Sequence, residues 1–304
     1  MSELITKVDK TLRHHAKRLS SSVRRMAWAG QPLRRPIFVV GCSRAGTTLV
    51  YKTLSVSAEL GSLNRETHDF WSELNPLESR GWVSHCLHEA ADREGHRNHV
   101  ARFFFEHLGR RRVVDKCNQN GLAIPYLFSL FPDAMFVFVK RSPGDNILSL
   151  MEGWRRPDEY ATWSKGLPGE VRIESGQFRD WCFFLPEGWR EYLSASLAEV
   201  CAYQYASMNE AILRAGEAIP AHQWHEVCYE SALRDPTTEF RRMFDACDLD
   251  FTDVLELHCR TVIERPYNAF SPIKEDKWKD SDDAAVIAPH LPSLESLSQR
   301  LGYD

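Results

Sequence analysis

A short loop bounded by glycines carries the residue types and the spacing that bind a phosphate group. Residues 41–48 follow a short apolar run and precede a helical pattern that starts at Leu49. At such a strand-to-helix junction, free backbone N–H groups and the positive end of the helix dipole attract anions. Side-chain donors add to this attraction. We therefore predict that phosphate binds to Gly41, Ser43, Arg44, Ala45, Gly46, Thr47 and Thr48.

The order of residues in this loop distinguishes it from the phosphate loop of nucleoside triphosphatases. That loop ends in Gly-Lys-Ser or Gly-Lys-Thr. Here Gly46 is followed by Thr47, and the cation lies earlier, at Arg44. A nucleotide without β- and γ-phosphates, which needs no Mg²⁺ bridge, suits this loop better. The sequence therefore indicates an adenylyl donor with a single anionic chain at its 5′ position.

A second candidate anion site starts at Arg141, where another predicted strand ends. Ser142 followed by Pro143 is typical of the start of a helix. Each helical residue turns by about 100°, so Ser149 returns to nearly the azimuth of Ser142, two turns further along. One anion could then contact both Arg141 and Ser149.

Together the two segments resemble the nucleotide motifs of sulfotransferases that use 3′-phosphoadenosine 5′-phosphosulfate (PAPS). The loop is similar to their P-x-S-G-T-T motif for the 5′-phosphosulfate, and Arg141 with Ser149 is similar to their 3′-phosphate motif. The resemblance covers residues 36–304 and is closest to the tyrosylprotein sulfotransferases and their bacterial relatives. Ala45 replaces the usual Ser or Lys, and Ser142 replaces a common Asp. The resemblance implies PAPS as donor, 3′-phosphoadenosine 5′-phosphate (PAP) as product, and no metal.

The same resemblance assigns two further residues to the nucleotide. Residues 227–236 are similar to the Y-E-D-L…D-P segment of the family, whose tyrosine lies near the adenine, so Tyr229 is expected there. The C-terminal residues resemble a tail in which a lysine helps to hold the nucleotide phosphates. That role is assigned to Lys277.

Sulfuryl transfer to a hydroxyl requires a group that takes the acceptor proton and a cation that stabilises charge on the leaving oxygen. In the tyrosylprotein-like branch a Glu-Thr dipeptide supplies the catalytic glutamate, which makes Glu66 the first candidate for the base. His68 is the second, because imidazole exchanges a proton readily near neutral pH. Lys116, in a segment similar to the family's E-K-T-P or N-K-D-P, is assigned with Arg44 to the leaving group.

The predicted function is therefore sulfuryl transfer by in-line displacement to an unidentified hydroxyl. Tryptophans at 154, 163, 181 and 189 favour an apolar, aromatic or glycolipid acceptor. Two alternatives remain. A P-loop kinase-like phosphotransferase would show ATP- and Mg²⁺-dependent transfer, and the missing Walker lysine argues against it. A non-catalytic nucleotide-binding adaptor would bind PAP without turnover, which the presence of Glu66 and Lys116 disfavours.

These residues must be positioned by alternating strands and helices. Strands are predicted at residues 37–40, 113–114, 135–139 and 226–229, and helices at 122–131 and 191–214. This alternation predicts an α/β fold, in which helices cover both faces of a parallel sheet. The resemblance makes this the P-loop-like sulfotransferase fold. We expect a single domain over residues 36–304, with residues 152–189 inserted over the site.

Composition restricts the class of protein. The 304 residues are 43% hydrophobic and 26% charged, and a net charge of -4 argues against nucleic-acid binding. The eight cysteines contain no C-x-x-C pair, and no apolar run is long enough for a membrane span or a signal peptide. These features predict a cytoplasmic protein. Histidines and a cysteine in residues 85–99 are of zinc-binding types, but their polar helical context leads us to predict no metal.

The N-terminal residues 1–35 carry nine Lys and Arg residues against Glu3 and Asp9. Apolar residues recur at steps of three, four and seven, which predicts a basic amphipathic helix. Three interpretations are open. The helix packs on its own domain or on a partner subunit, or residues 1–30 contact an anionic membrane surface, or the segment is an unstructured leader.

Overall fold

Four short runs of β-branched and aromatic residues pair into one parallel sheet in the order β2-β1-β3-β4. The computed structural model describes residues 20–262 and 274–303. Its strands are β1 (Ile37–Gly41), β2 (Val114–Lys116), β3 (Met135–Lys140) and β4 (Trp224–Cys228). The predicted α/β class with a parallel sheet is thus confirmed.

Helices cover both faces of this sheet. The α-helical segments are α1 (20–27), α2 (Thr47–Leu54), α3 (His68–Leu74), α4 (Arg93–Leu108), α5 (Ile124–Leu130), α6 (Pro143–Trp154), α7 (Pro157–Tyr160), α8 (Ile173–Gly176), α9 (Leu197–Gly216), α10 (Tyr229–Arg234), α11 (Pro236–Ala246), α12 (Asp253–Val262), α13 (Ala284–Ile287) and α14 (Glu295–Arg300). Short 3-10 turns span Glu78–Arg80, Asn120–Leu122, Trp189–Tyr192, Ala221–Gln223, Lys277–Asp280 and Ala288–Leu294.

Alternation along the strands builds two apolar layers. Phe38 and Phe136 enter one core cluster, whereas Ile37 and Val137, one residue away, enter the other. Successive side chains of a strand point to opposite faces. All five residues of β1 are buried. A sheet that is covered on both faces needs such continuous apolar strands.

The carboxyl ends of all four strands lie at one edge of the sheet, because the strands are parallel. The register aligns Gly41 with Val139, and Lys140 with Cys228. Val39 of β1 aligns with Lys116, the last residue of β2. The loops that follow the strands therefore meet at this edge, which is where ligands bind in open α/β sheets.

Among the element boundaries that differ from the sequence predictions are the end of β4 and the start of α9. Tyr229 starts α10 and does not end β4. Helix α9 starts at Leu197, not at residue 191, because the hydroxyl of Ser196 accepts the N–H of Glu199 and caps the helix. Residues 189–192 form a 3-10 turn instead.

Three of the four tryptophans in the inserted residues 152–189 belong to the core. Trp154, Trp181 and Trp189 are fully buried. The ring of Trp181 contacts those of Trp154 and Trp189 edge-on, with centroids 5.6 and 5.7 Å away. Each indole N–H of the three is hydrogen-bonded within the protein. These tryptophans pack the insertion onto the domain, so they are not evidence for an aromatic acceptor.

The predicted N-terminal helix is described only from residue 20, and residues 1–19 lie outside the described residues. Residues 20–27 are helical. Arg24 donates a hydrogen bond to the carbonyl of His107 at 2.8 Å, and Trp28 contacts Phe105 at 5.5 Å. This part of the helix therefore lies along α4. None of the helices in residues 20–262 and 274–303 combines the length and apolar character that crossing a bilayer requires.

Trp181→Ala should lower the free energy of unfolding by about 3–5 kcal/mol, because it removes a buried indole at the centre of the insertion. Chemical denaturation followed by circular dichroism measures the loss. Trp28→Ala, which truncates a half-buried indole at the periphery, is the matched control and should cost less. Equal losses for the two variants would contradict the packing role of Trp181.

Candidate functional site

The loop after β1 depends on close backbone packing. Arg44 has a left-handed φ of 70°, and Gly46 has a φ of 97°. A Cβ atom at Gly46 would overlap the ring of Tyr229. A Cβ atom at Gly41 would lie 2.5 Å from the carbonyl oxygen of Val139 in β3. Both glycines of the predicted phosphate loop are therefore required by the fold around it.

Several polar groups of this loop are left for a ligand. Gly46 is the N-cap of α2, so the N–H groups of Thr47 and Thr48 have no acceptor within the helix. The hydroxyl of Ser43 is buried and has no hydrogen-bond partner. The N–H of Ala45 donates back into the loop at 3.1 Å. The N–H groups of Thr47 and Thr48 and the hydroxyl of Ser43 are therefore the donors that the loop offers to an anion.

Arg141 fastens the loop from the neighbouring strand. Its Nη1 donates to the carbonyl oxygen of Arg44 at 2.9 Å, and its guanidinium lies 4.6 Å from the ring centroid of Tyr229. Tyr229 is thereby held between Gly46 and Arg141. Arg141 is only 7% exposed, yet its Nε has no partner. A buried cationic donor without a partner is costly, which points to an anionic ligand.

Ser149 lies on α6 opposite Arg44. Arg44 Nε donates to Ser149 Oγ at 3.4 Å, and Arg44 Nη1 donates to the hydroxyl of Tyr160 at 3.2 Å. Burial lowers the pKa of Arg44, Tyr160 raises it, and Arg141 lowers it further. Arg141 and Ser149 both contact Arg44, so the three residues form one cluster. Ser142 is the N-cap of α6, but its side chain makes no capping bond.

Lys277 joins this cluster from the C-terminal part of the chain. Its Nζ lies 3.1 Å from Glu152 Oε2 of α6, and both side chains are largely buried. Burial lowers the pKa of Lys277, Glu152 raises it, and Arg141 lowers it. Arg141 and Lys277 are thus close enough to repel each other. Glu152, which the sequence analysis missed, partly neutralises the cluster.

Lys116 and Glu66 form a close ion pair at the end of β2. Lys116 Nζ donates to Glu66 Oε1 at 2.5 Å, and the Lys116 side chain is 7% exposed. Burial alone would raise the pKa of Glu66, but the charge and hydrogen bond of Lys116 outweigh it, so this pKa is lowered. Glu66 is therefore a carboxylate at neutral pH, the form that can accept a proton.

Asp115 positions this pair and was not selected from the sequence. Its buried carboxylate accepts hydrogen bonds from Thr67 Oγ1 at 2.6 Å, Trp71 Nε1 at 2.9 Å and Asn120 Nδ2 at 3.2 Å. Burial raises the pKa of Asp115, and these hydrogen bonds oppose the rise. The bond to Thr67 holds the residue next to Glu66 against β2. The sequence signal that was available is its position: Asp115 follows the predicted strand at residues 113–114 and directly precedes Lys116.

His68 is the first residue of α3, and its ring pairs with Asp69. Its Nε2 lies 3.0 Å from Asp69 Oδ1, and its side chain is 39% exposed. After Lys116, His68 also lowers the pKa of Glu66. Glu66, not His68, is the candidate base that contacts Lys116.

Tyr160 contacts the phosphate loop and is affected by the charge of the ion pair. Its hydroxyl accepts from Arg44, and its ring packs on Phe183 at 4.9 Å. Burial raises the pKa of Tyr160, Arg44 lowers it, and Glu66 is among the carboxylates that raise it. Tyr160 therefore lies within electrostatic reach of both parts of the site. It comes from the predicted insertion, whose irregular pattern did not single it out.

No group of three or more His, Cys, Asp or Glu residues in the described ranges, 20–262 and 274–303, is arranged to hold a metal ion. His85, one of the zinc-type residues considered from the sequence, is buried. Its Nδ1 accepts the N–H of Leu185 at 2.7 Å.

Comparison with known proteins identifies one family. The sequence model described as "Sulfotransferase family" matches residues 36–183 and 175–253. No curated protein matches the chain. The matched residues include the phosphate loop, the Lys116–Glu66 pair, Arg141 and Tyr229.

Solved sulfotransferase structures share the fold. The sulfotransferase domain of the olefin synthase from Synechococcus PCC 7002 is 17% identical, with a TM-score of 0.52, over 91% of this chain and 98% of that one. A sulfotransferase from Mycobacterium avium is 15% identical, with a TM-score of 0.54, over 90% and 78%. A sulfotransferase from Alicyclobacillus acidocaldarius is 15% identical, with a TM-score of 0.50, over 91% and 98%.

Thr67→Val should lower the free energy of unfolding by about 1–3 kcal/mol, because it removes a hydrogen bond from a buried carboxylate while keeping the side-chain size. Urea denaturation measures the change. Thr67→Ser keeps the hydroxyl and is the control, with a smaller loss expected. If the two variants lose the same stability, the bond to Asp115 does not hold this segment.

Proposed function

This chain belongs to the sulfotransferase family, and from that premise we propose that it transfers the sulfuryl group of PAPS to a hydroxyl group. The observation that carries the proposal is the gathering of donor groups at one edge of the sheet. The phosphate loop, Arg141 and the Lys116–Glu66 pair all lie where the parallel strands end. Family membership favours sulfuryl transfer over the kinase-like alternative.

The donor is proposed to bind with its 5′-phosphosulfate in the phosphate loop and its 3′-phosphate at Arg141 and Ser149. Orphaned polar groups support this fit: the hydroxyl of Ser43 and the Nε of Arg141 are buried without partners. A phosphate oxygen would satisfy them with charge-assisted hydrogen bonds. Lys277 would add a cation to the same anion, in competition with its ion pair to Glu152.

Chemistry is proposed to use Glu66 as the general base. The acceptor oxygen attacks sulfur, its proton passes to the Glu66 carboxylate, and the bond from sulfur to the bridging oxygen breaks. The electron pair of that bond leaves on the 5′-phosphate of PAP. Lys116, with Arg44, stabilises this developing charge.

The Lys116–Glu66 ion pair links proton transfer to Glu66 with stabilisation of the leaving oxygen by Lys116. While Lys116 bonds to Glu66, it lowers the pKa of the carboxyl group and so weakens the base. When the ammonium turns to the phosphosulfate oxygen, that effect is reduced and Glu66 becomes a stronger base. Donor binding would therefore activate the base that acts on the acceptor. His68 remains the alternative base.

The acceptor is proposed to be a small-molecule, lipid or glycoside hydroxyl that enters beside Tyr160 and Glu66. Tyr160 and Phe183 supply aromatic surface near the pair, and Asn118 donates to the carbonyl of Phe183 at 3.1 Å. Three of the four tryptophans in residues 152–189 are buried in the core, so they are not assigned to the acceptor. We also propose that the protein is cytoplasmic and that residues 1–30 contact a membrane surface.

Arg141→Ala should weaken PAP binding about tenfold or more, since a charge-assisted contact contributes about 1.5–3 kcal/mol. Adenosine monophosphate lacks the 3′-phosphate, so its affinity should change much less. Isothermal titration calorimetry measures both ligands, and Arg172→Ala, an exposed arginine paired with Glu170, is the control. Equal affinity of the wild type for PAP and adenosine monophosphate would refute the assignment of the 3′-phosphate.

Glu66→Gln should reduce turnover by at least about a hundredfold with little change in PAP affinity, because it removes the base and leaves the donor site intact. Lys116→Ala should impair both, because that ammonium would touch the donor before and during transfer. PAPS consumption with a simple phenol as acceptor, or slow PAPS hydrolysis, measures turnover.

His68→Asn is the control for Glu66→Gln and should retain most of the activity. If Glu66→Gln keeps near-full turnover while His68→Asn abolishes it, the base is His68. If neither matters when transfer is rate-limiting, the acceptor side of the site has been misplaced.

A further inference from the structure

A small cavity lies behind the catalytic strand end, between α3, residues 75–92 and the start of α5. Its volume is about 20 Å³, enough for a single group slightly larger than a water molecule. It is lined by Trp71, Ser72, Asn75, Arg80, His85, Leu87, Gln119, Asn120, Ala123, Tyr126 and Leu127. None of these residues carries a carboxylate.

His85 contributes an N–H donor to this cavity. Its Nδ1 accepts the backbone N–H of Leu185 at 2.7 Å, so the ring proton must be on Nε2. Nε2 is buried and has no partner. Burial, with the nearby cation of Arg80, lowers the pKa of His85 to about 3. The ring therefore stays neutral and keeps one unpaired donor.

Arg80 and Gln119 contribute two more donors. Arg80 Nη1 donates to the carbonyl of Cys86 at 3.1 Å, but its Nε is buried without a partner. Burial lowers the pKa of Arg80, and the neighbour that opposes this shift is Cys86, not a carboxylate. Gln119 is 6% exposed, and its Nε2 is buried without a partner. A half-buried cation and two neutral donors thus share one cavity.

Neighbouring groups do not satisfy these donors. Trp71 and Asn120 also line the cavity, but both donate to the carboxylate of Asp115. The oxygen of a water molecule has two lone pairs and accepts two hydrogen bonds, so one water does not satisfy three donors. Three donors, one of them cationic, match an anion better, because an anion accepts from all sides and neutralises Arg80.

We propose that this cavity binds a chloride-sized monovalent anion, held by Arg80, His85 and Gln119. The anion joins residues 75–92 to the turn that follows Lys116, because Arg80 and His85 come from the first segment and Gln119 from the second. The site is independent of PAPS binding and of the proposed reaction. Its occupancy would stabilise the part of the fold that supports Asp115 and Glu66.

Bromide tests the site directly in crystals of the full-length wild-type protein. Bromide is close in size to chloride and gives an anomalous signal. We expect an anomalous peak within hydrogen-bonding distance of His85 Nε2 and Arg80 Nε. A water molecule or an empty cavity at high bromide concentration would overturn the proposal.

Thermal unfolding gives a second measurement. Replacing sodium gluconate by sodium chloride at constant ionic strength should raise the Tm, by about 2 °C for each tenfold increase above the dissociation constant. Arg80→Gln and Gln119→Leu should lose this dependence, whereas Arg93→Gln, an exposed arginine nearby, should retain it. Equal chloride dependence in all variants would overturn the proposal, because any chloride effect would then arise elsewhere.

Discussion

Arg44, Arg141 and Lys277 lie at one edge of the sheet, and their mutual repulsion is the constraint on which the site depends. Besides burial, Arg141 lowers the pKa of both other cations. Glu152 offsets part of this repulsion through its ion pair with Lys277. Buried charge without compensation is costly. The negative charges of the proposed nucleotide phosphates would offset the remaining repulsion among the three cations. We therefore expect binding of the nucleotide to relieve this repulsion.

Neighbouring elements hold the backbone around these charges in place. The hydroxyl of Tyr205 donates to the carbonyl of Arg141 at 3.0 Å, and Asn146 donates to that of Ser43 at 2.9 Å. Asp115 gives the same support to the acceptor side through Thr67. Strand β1 pairs with both β2 and β3. The donor and acceptor sides are therefore fixed relative to each other by the same sheet, although their loops come from distant parts of the chain.

The sequence predicted what depends on local pattern. Buried strands and a glycine-bounded loop have recognisable patterns, and the seven-residue spacing of Ser142 and Ser149 follows from helix geometry. Residues that act through tertiary contacts escaped prediction. Tyr160 has no distinctive neighbours in sequence, and its role arises from Arg44, 116 residues away. Asp115 directly precedes Lys116, but its role arises from Thr67, 48 residues away. The tryptophans of residues 152–189 were interpreted as acceptor contacts for a related reason. An irregular run of tryptophans does not show whether the rings face the core or a ligand.

The most direct test of this account is a crystal structure of the protein with PAP. We expect the 5′-phosphate at the N–H groups of Thr47 and Thr48, with Lys116 within reach of it. We expect the 3′-phosphate between Arg141 and Ser149. PAP bound with its 3′-phosphate remote from Arg141, or outside the carboxyl edge of the sheet, would contradict the account.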